Sequence, residues 1–166
     1  MTYATINPYT GDTVATFPDA TDEEVKTALD KADAAFLSWR ETSFAERGRI
    51  LQNAADILRR DSDAFARLLT LEMGKLVAEA KAEVELSAKI FEYYVRHAED
   101  LLKPEKLPVL DPAEGEAMLV HEPLGVLLAI EPWNFPYYQI ARILAPHLSA
   151  GNTLILKRRL ERSAER

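Results

Sequence analysis

The segment Gly125 to Ile130 (GVLLAI) constrains the fold more than any other stretch of the chain. It is apolar without interruption and is bracketed by Pro123 and Pro132. A strand with one face in water alternates polar and apolar residues. An unbroken apolar run between chain breakers therefore predicts a strand buried on both faces, as in a parallel sheet. Tyr138 to Ser149 then has helical spacing, with Ile140, Ile143, Leu144 and Leu148 on one face and Gly151-Asn152 as a C-cap. Thr153 to Leu156 is a second short apolar strand. The order strand, helix, strand with tight connections predicts a βαβ crossover, expected to be right-handed.

That geometry predicts where chemistry would occur. In open parallel sheets, ligands sit beyond the carboxyl ends of the strands. Glu131, Pro132, Trp133 and Asn134 follow the first strand and Lys157 ends the second, so all five are expected at one edge. In the sequence PWNFP, Asn134 is held between Pro132 and Pro136. A fixed side-chain amide can donate to a developing oxyanion, worth about 3 kcal/mol in comparable sites. Lys157 could hold a hydroxyl or phosphate of a nucleotide. Residue types alone leave a second reading open: a rigid turn whose asparagine is chosen for its tolerance of the left-handed conformation, beside a surface lysine.

Upstream, the chain reads as a hairpin followed by four helices. Thr5-Ile6 and Thr13 to Phe17 favour strands around the turn residues Asn7, Pro8, Gly11 and Asp12. Thr21 with Glu24, and Ser43 with Glu46, match the capping box that opens a helix. After the first box, Val25, Ala28, Leu29, Ala32, Ala35, Phe36 and Trp39 share a face; after the second, Ile50, Leu51, Ala54, Ile57 and Leu58 are expected inward. Phe65, Leu68 and Leu69 mark a short third helix ended by Gly74. A long fourth helix runs from about Leu76 to Leu102, with Val77, Ala80, Val84, Ala88, Phe91, Val95, Ala98 and Leu102 as its apolar stripe and Pro104 as its stop. Charged residues between the stripes are expected on solvated faces. The proline-rich residues 103–114 are expected to form a surface connection.

Composition narrows the function classes. A chain of 166 residues has the length of one domain or two small lobes and could bury roughly 70% of its unfolded surface. Its 20 basic and 27 acidic side chains give a formal charge of −7 and a pI near 5.1. That balance argues against nucleic-acid and anionic-membrane surfaces, which need a basic face. With no cysteine there are no disulfides, no thiolate metal sites and no thiol nucleophile. His97, His121 and His147 are far apart, so no metal site is expected. No basic-then-apolar leader is read at residues 1–20, and Leu124 to Ile130 is far too short to span a bilayer. The expected location is cytoplasmic.

Four segments together carry a family resemblance: residues 7–17 (NPYTGDTVATF), 69–75 (LTLEMGK), 122–136 (EPLGVLLAIEPWNFP) and 145–157 (APHLSAGNTLILK). In order, from residue 5 to 157, the chain resembles the N-terminal part of the NAD(P)-dependent aldehyde dehydrogenase superfamily. The wording AIEPWNFPYYQ is most similar to the succinate-semialdehyde dehydrogenase branch. The resemblance implies an α/β fold, truncated: N-terminal helices plus the start of a Rossmann-like parallel sheet. Residues 1–114 would be the hairpin and helical part of the cofactor-binding domain, and 115–123 the start of a β oligomerisation arm. Residues 124–157 would be the first βαβ unit of the cofactor sheet, and 158–166 a divergent tail. Asn134 would stabilise the oxyanion together with the nucleophile's backbone N–H. Ile130, Glu131, Pro132 and Trp133 would line the NAD or NADP cleft, and Lys157 would hydrogen-bond the adenosine ribose.

The implied activity is oxidation of an aldehyde, succinate semialdehyde in this branch, to the carboxylic acid. The implied partners are a small aldehyde and a homo-oligomer or full-length relative, with no nucleic acid and no membrane. The family reaction needs a cysteine thiolate and an assisting glutamate. With no cysteine in the sequence, and with the nucleophile, base and phosphate-contacting loop expected beyond residue 166, the chain alone is expected to be inactive and to bind cofactor weakly or not at all. The alternative is a non-catalytic interaction module that binds a full-length relative. Two parallel strands cannot cover their own faces or edges, so a marginal, association-prone fold is expected. The ending departs from the branch, whose members often continue after the lysine as HASNVPQSA. Codons for SNVPQS, read one base out of phase behind a C, spell the LERSAER that ends this sequence, so a frameshifted reading frame is expected.

Overall fold

The structure, a computed structural model, describes residues 3–111, 113 and 115–158. Strands β1 (Tyr3–Ile6) and β2 (Thr13–Phe17) form an antiparallel hairpin. Asn7 closes its loop: Oδ1 accepts the Tyr9 N–H at 2.9 Å and its C=O accepts that of Gly11 at 2.8 Å. Helices α1 (Asp22–Trp39), α2 (Phe44–Arg60), α3 (Ser62–Met73) and α4 (Val77–Leu101) follow. Both expected capping boxes form. The Thr21 and Ser43 hydroxyls accept the N–H groups of Glu24 and Glu46 at 3.2 Å, and each glutamate accepts the cap N–H at 2.8 Å. Gly74 ends α3 with φ +69°, and a Cβ there would stand 3.0 Å from Pro8 Cγ. Both the turn and the packing of the hairpin loop therefore call for glycine.

The core is helical and rich in alanine. Leu51 and Ala55 of α2 and Ala88 and Phe91 of α4 meet Ala141 and Ala145 of α5 (Pro136–Ser149) in one buried cluster. A second cluster, Ala66, Leu69 and Ala80, joins α3 to α4 and receives Met73 and Tyr137. Arg59 ties α2 to α4, with Nε and Nη2 donating to Glu85 at 3.0 and 3.1 Å and Nη2 to Glu92 at 3.1 Å.

Strands β5 (Val126–Glu131) and β6 (Thr153–Arg158) flank α5 and pair in parallel, from Val126 opposite Thr153 to Glu131 opposite Arg158. The apolar run forms the parallel strand expected of it, but it is not buried on both faces: Leu128 and Ile130 are 65% and 56% exposed, because the sheet has only two strands. Helix α5 starts two residues earlier than its apolar spacing suggests, because Pro136 occupies its first turn. Helix α1 lies against the strand pair: Thr153 Oγ1 donates to the Ala32 C=O at 2.9 Å, and Trp39 Nε1 donates to the Leu148 C=O at 3.1 Å.

Several expectations need correction. Residues 103–114 carry strand β3 (Glu105–Leu107), which pairs antiparallel with β4 (Ala117–Leu119). The pairing stays short because Pro104 and Pro108 bracket β3 and neither can donate to a ladder. Ile50 and Ile57, expected inward, are 44% and 42% exposed, and Val77 of the apolar stripe of α4 is 49% exposed. The buried face of α2 is instead Arg47, Gly48, Leu51 and Ala55. Helix α1 has no buried residue, because a two-stranded sheet covers too little of it. Arg47 and Glu83, read as solvated, are 6% and 3% exposed.

The chain exposes 11745 Å², whereas a monomer of 18.7 kDa scales to roughly 8,300 Å². The divergent segment 158–166 lies outside the described residues apart from the backbone of Arg158, which ends β6. Among the described residues, no helix is long and apolar enough to cross a membrane.

Candidate functional site at the carboxyl edge of the parallel strands

The register of β5 and β6 brings the candidate residues to one edge. Ile130 stands opposite Lys157 and Glu131 opposite Arg158. The chain thus leaves β5 towards Pro132, Trp133 and Asn134 at the level of Lys157. Ile130, Glu131 and Lys157 thus share the carboxyl edge, and Pro132, Trp133 and Asn134 continue the chain from it.

That register is set at the opposite end of the strands. Asn152 is 3% exposed, and its Oδ1 accepts the N–H groups of Leu124 at 2.6 Å and Gly125 at 3.1 Å. The Thr153 N–H adds a bond to the Gly125 C=O at 3.1 Å. The entrance of β5 is thereby fastened to the entrance of β6, and the strands finish level. Gly151 has φ +93°, and a Cβ there would meet Arg47 Nη1 at 2.9 Å and Pro123 at 3.5 Å. The sequence marks Gly151-Asn152 only as a helix end; the cross-strand use of the Asn152 side chain has no local signal.

Asn134 is exposed and lies in a bend. Among the described residues no non-glycine φ is positive, so Asn134 does not use the left-handed conformation. Nor does it cap α5, whose N-cap is Phe135. Its side chain makes no hydrogen bond within the described residues, which deprives the rigid-turn reading of its physical reason. Lys157 is also exposed, with no ion pair among the described residues. Ile130 and Trp133 are 56% and 38% exposed, and Glu131 is half-buried. The mouth is an open, partly apolar surface whose amide and ammonium have no hydrogen bond or ion pair among the described residues.

Behind this mouth lies a charged pair whose carboxylate, Glu83, is expected from the sequence on a solvated helical face. Glu83 Oε1 accepts the N–H groups of Tyr137 and Tyr138, at 2.9 and 3.3 Å, in the first turn of α5. Lys75 pairs with Glu83, their side chains being 10% and 1% exposed. Lys75 Nζ also stands 3.5 Å from the centre of the Phe135 ring. A signal for Glu83 was present: Ala80, Glu83, Val84, Ser87 and Ala88 follow the spacing of one buried helical face.

A cavity of about 250 Å³ lies elsewhere, between α2, α4 and the end of α5, lined by Arg47, Gln52, Tyr94 and Ser149 among others. Burial holds the pKa of the Arg47 guanidinium below its ordinary value, and its Nε has no hydrogen-bond partner among the described residues. The described residues contain no cluster of metal-ligating side chains.

Comparison with known proteins follows the same outline. The sequence model of the Aldehyde dehydrogenase family matches residues 1–164. The succinate-semialdehyde dehydrogenase (NADP+) of Deinococcus radiodurans is 47% identical over 155 residues, 93% of this chain and 32% of that protein. Succinate-semialdehyde dehydrogenase (NADP+) 1 of Mycobacterium tuberculosis H37Rv is 48% identical over 157 residues, 95% of this chain and 34% of its own length. A crystal structure of succinic semialdehyde dehydrogenase from Streptococcus pyogenes in complex with NADP+ superposes with a TM-score of 0.89 at 41% identity, covering 95% of this chain and 34% of that one. The chain spans about a third of the length of the relatives it matches.

Proposed function

The chain belongs to the aldehyde dehydrogenase family, and on that premise we propose that it supplies the oxyanion-stabilising amide and one wall of the nucleotide cleft for NAD(P)-dependent oxidation of an aldehyde, succinate semialdehyde, to the carboxylic acid. The observation that carries this reading is the placing of the Lys157 ammonium at the carboxyl end of β6, level with the end of β5 from which the chain runs to the Asn134 amide, neither group having a partner among the described residues. The NADP+ in the names of the similar enzymes favours NADP over NAD.

The residues present suit a dinucleotide. Lys157 can hold ribose hydroxyls, while the backbone of Ile130, Glu131, Pro132 and Trp133 lines the cleft. A nicotinamide held there would supply the hydride acceptor for the oxidation. Asn134 Nδ2 donates to the carbonyl oxygen as negative charge gathers on it. A donor that meets this charge is worth about 3 kcal/mol, or 10²–10³ in rate. The chain has no cysteine, so the thiolate must come from polypeptide beyond these residues, and the chain alone is inactive. Residues 1–114 serve as the helical part of the cofactor domain, 115–123 as the start of an oligomerisation arm and 124–157 as the first βαβ unit. A second reading, a non-catalytic module that binds a full-length relative, is favoured by the two-stranded sheet with Leu128 65% and Ile130 56% exposed.

The test joins residues 1–157 to the remaining two-thirds of the Deinococcus radiodurans relative and follows NADP+ reduction with succinate semialdehyde. The joined protein should turn over. Asn134→Ala should lower kcat by about 10²–10³, and Lys157→Ala should raise the nucleotide KM at nearly constant kcat. A folded, active fusion indifferent to Asn134→Ala refutes the assignment, as does aldehyde oxidation by the 166-residue chain alone. Co-elution of the chain with the intact relative would support the second reading.

A further inference from the structure

Taking Asn134 as the oxyanion amide, we propose that Glu83 and Lys75 are its positioning residues, fixing the β5–α5 turn from behind. A helix begins with N–H groups that have no intrahelical partner, and an N-cap side-chain oxygen usually accepts one of them. Phe135, the N-cap of α5, has no such oxygen. Glu83 on α4 takes its place, accepting the N–H groups of Tyr137 and Tyr138 through Oε1. A carboxylate there also meets the positive end of the helix dipole. Because the cap comes from another helix, no side chain of the turn is needed to provide it, and the Asn134 amide has no hydrogen bond among the described residues.

A carboxylate 1% exposed is tolerable only when paired. Lys75 is the counter-ion, and its second contact falls on the ring of Phe135, the residue immediately after Asn134. The pair thus grips Phe135 through its ring and Tyr137 and Tyr138 through their amides. Lys75 is in turn delivered by Gly74, whose left-handed turn is wedged against Pro8. Misplacement of a reacting group by about 1 Å can cost 10² in rate, so a firm turn matters to the chemistry proposed for Asn134.

The experiment uses the intact chain, labelled with nitrogen-15. It reads amide hydrogen exchange at Tyr137 and Tyr138 and the order parameter of the Asn134 side-chain amide, with Leu51 and Ala55 in α2 as internal references. In Glu83→Ala, protection at Tyr137 and Tyr138 should fall at least about tenfold beyond any change at Leu51 and Ala55, and the Asn134 amide should become more mobile. Glu83→Gln keeps one acceptor oxygen and should show a smaller loss at the same positions; it decides the matter if the alanine variant does not fold. Lys75→Met should loosen Phe135 and Asn134. Equal losses at Leu51 and Ala55, or an unchanged Asn134 order parameter in these variants, overturn the proposal. The readouts are geometric and independent of turnover. If Asn134→Ala proves silent in the fused enzyme while the exchange pattern appears, the functional reading fails and the positioning stands.

Discussion

Replacing Asn152 by alanine should release the two strands from each other at the end away from the mouth. The Asn152 Oδ1 accepts two backbone N–H groups, from Leu124 and Gly125, and alanine leaves both without a partner. Gly125 is buried, and a buried donor left unsatisfied costs about 1–3 kcal/mol. Leu124 is 83% exposed. Its N–H can turn to water, so only the net value of an ordinary hydrogen bond is lost, about 0.5–1.5 kcal/mol. Together the change is about 2–4 kcal/mol. With a urea slope of about 2 kcal/mol per molar, the middle of the usual range, the unfolding midpoint should drop by about 1–2 M. Urea titration should be followed in parallel by far-ultraviolet circular dichroism and by fluorescence of Trp39 and Trp133, since coincident curves justify a two-state treatment. Hydrogen exchange then locates the damage: the amides of Gly125 and Thr153 should lose protection before those of α2. A midpoint within about 0.2 M of the parent chain refutes the clamp. So does a large drop that spares these amides.

Gly74→Ala should lower the melting temperature by about 3–8 °C, read by circular dichroism. The φ of +69° disfavours any L-residue, and the new methyl would press on Pro8 at 3.0 Å; an unchanged melting temperature contradicts the close approach. Acid should act through Arg59. Its hydrogen bonds, first among the causes, hold the carboxyls of Glu85 and Glu92 below the usual glutamate value. Their folded values lie under the unfolded ones, so this stabilisation is complete above about pH 4.3 and disappears as pH falls through the lowered values. Arg59→Met should therefore cost about 1 kcal/mol at pH 7, discounted for the solvent around these half-exposed groups. The gap between the urea midpoints of parent and variant should close towards about pH 3. A gap that stays constant with pH shows that the network contributes nothing through charge.

What the sequence made legible is what a few neighbouring residues decide. Thr21 with Glu24 and Ser43 with Glu46 announce their helices because each box is complete within four residues. Gly74 and Pro104 stop helices for reasons internal to their own backbones. The GVLLAI run and the helix after it yield the βαβ order, and with that order the carboxyl edge where Asn134 and Lys157 stand. Sheet topology alone places such residues, so their common edge needed no knowledge of distant contacts.

The rest was hidden because it depends on pairs far apart in the chain. Glu83 reaches Tyr137 across 54 positions and Asn152 reaches Leu124 across 28; no window of helical or strand length contains either pair. Both are polar side chains on otherwise apolar surfaces, where the ordinary expectation places charge in water. The apolar strands themselves cannot fix their register, since Val126 to Ile130 would bury equally well after a shift of two residues. A polar anchor at one end removes that freedom, and a second holds the turn at the other. Topology therefore brings the Asn134 amide and the Lys157 ammonium to one edge, whereas the long-range bonds of Asn152 and Glu83 set where on that edge they stand and how firmly.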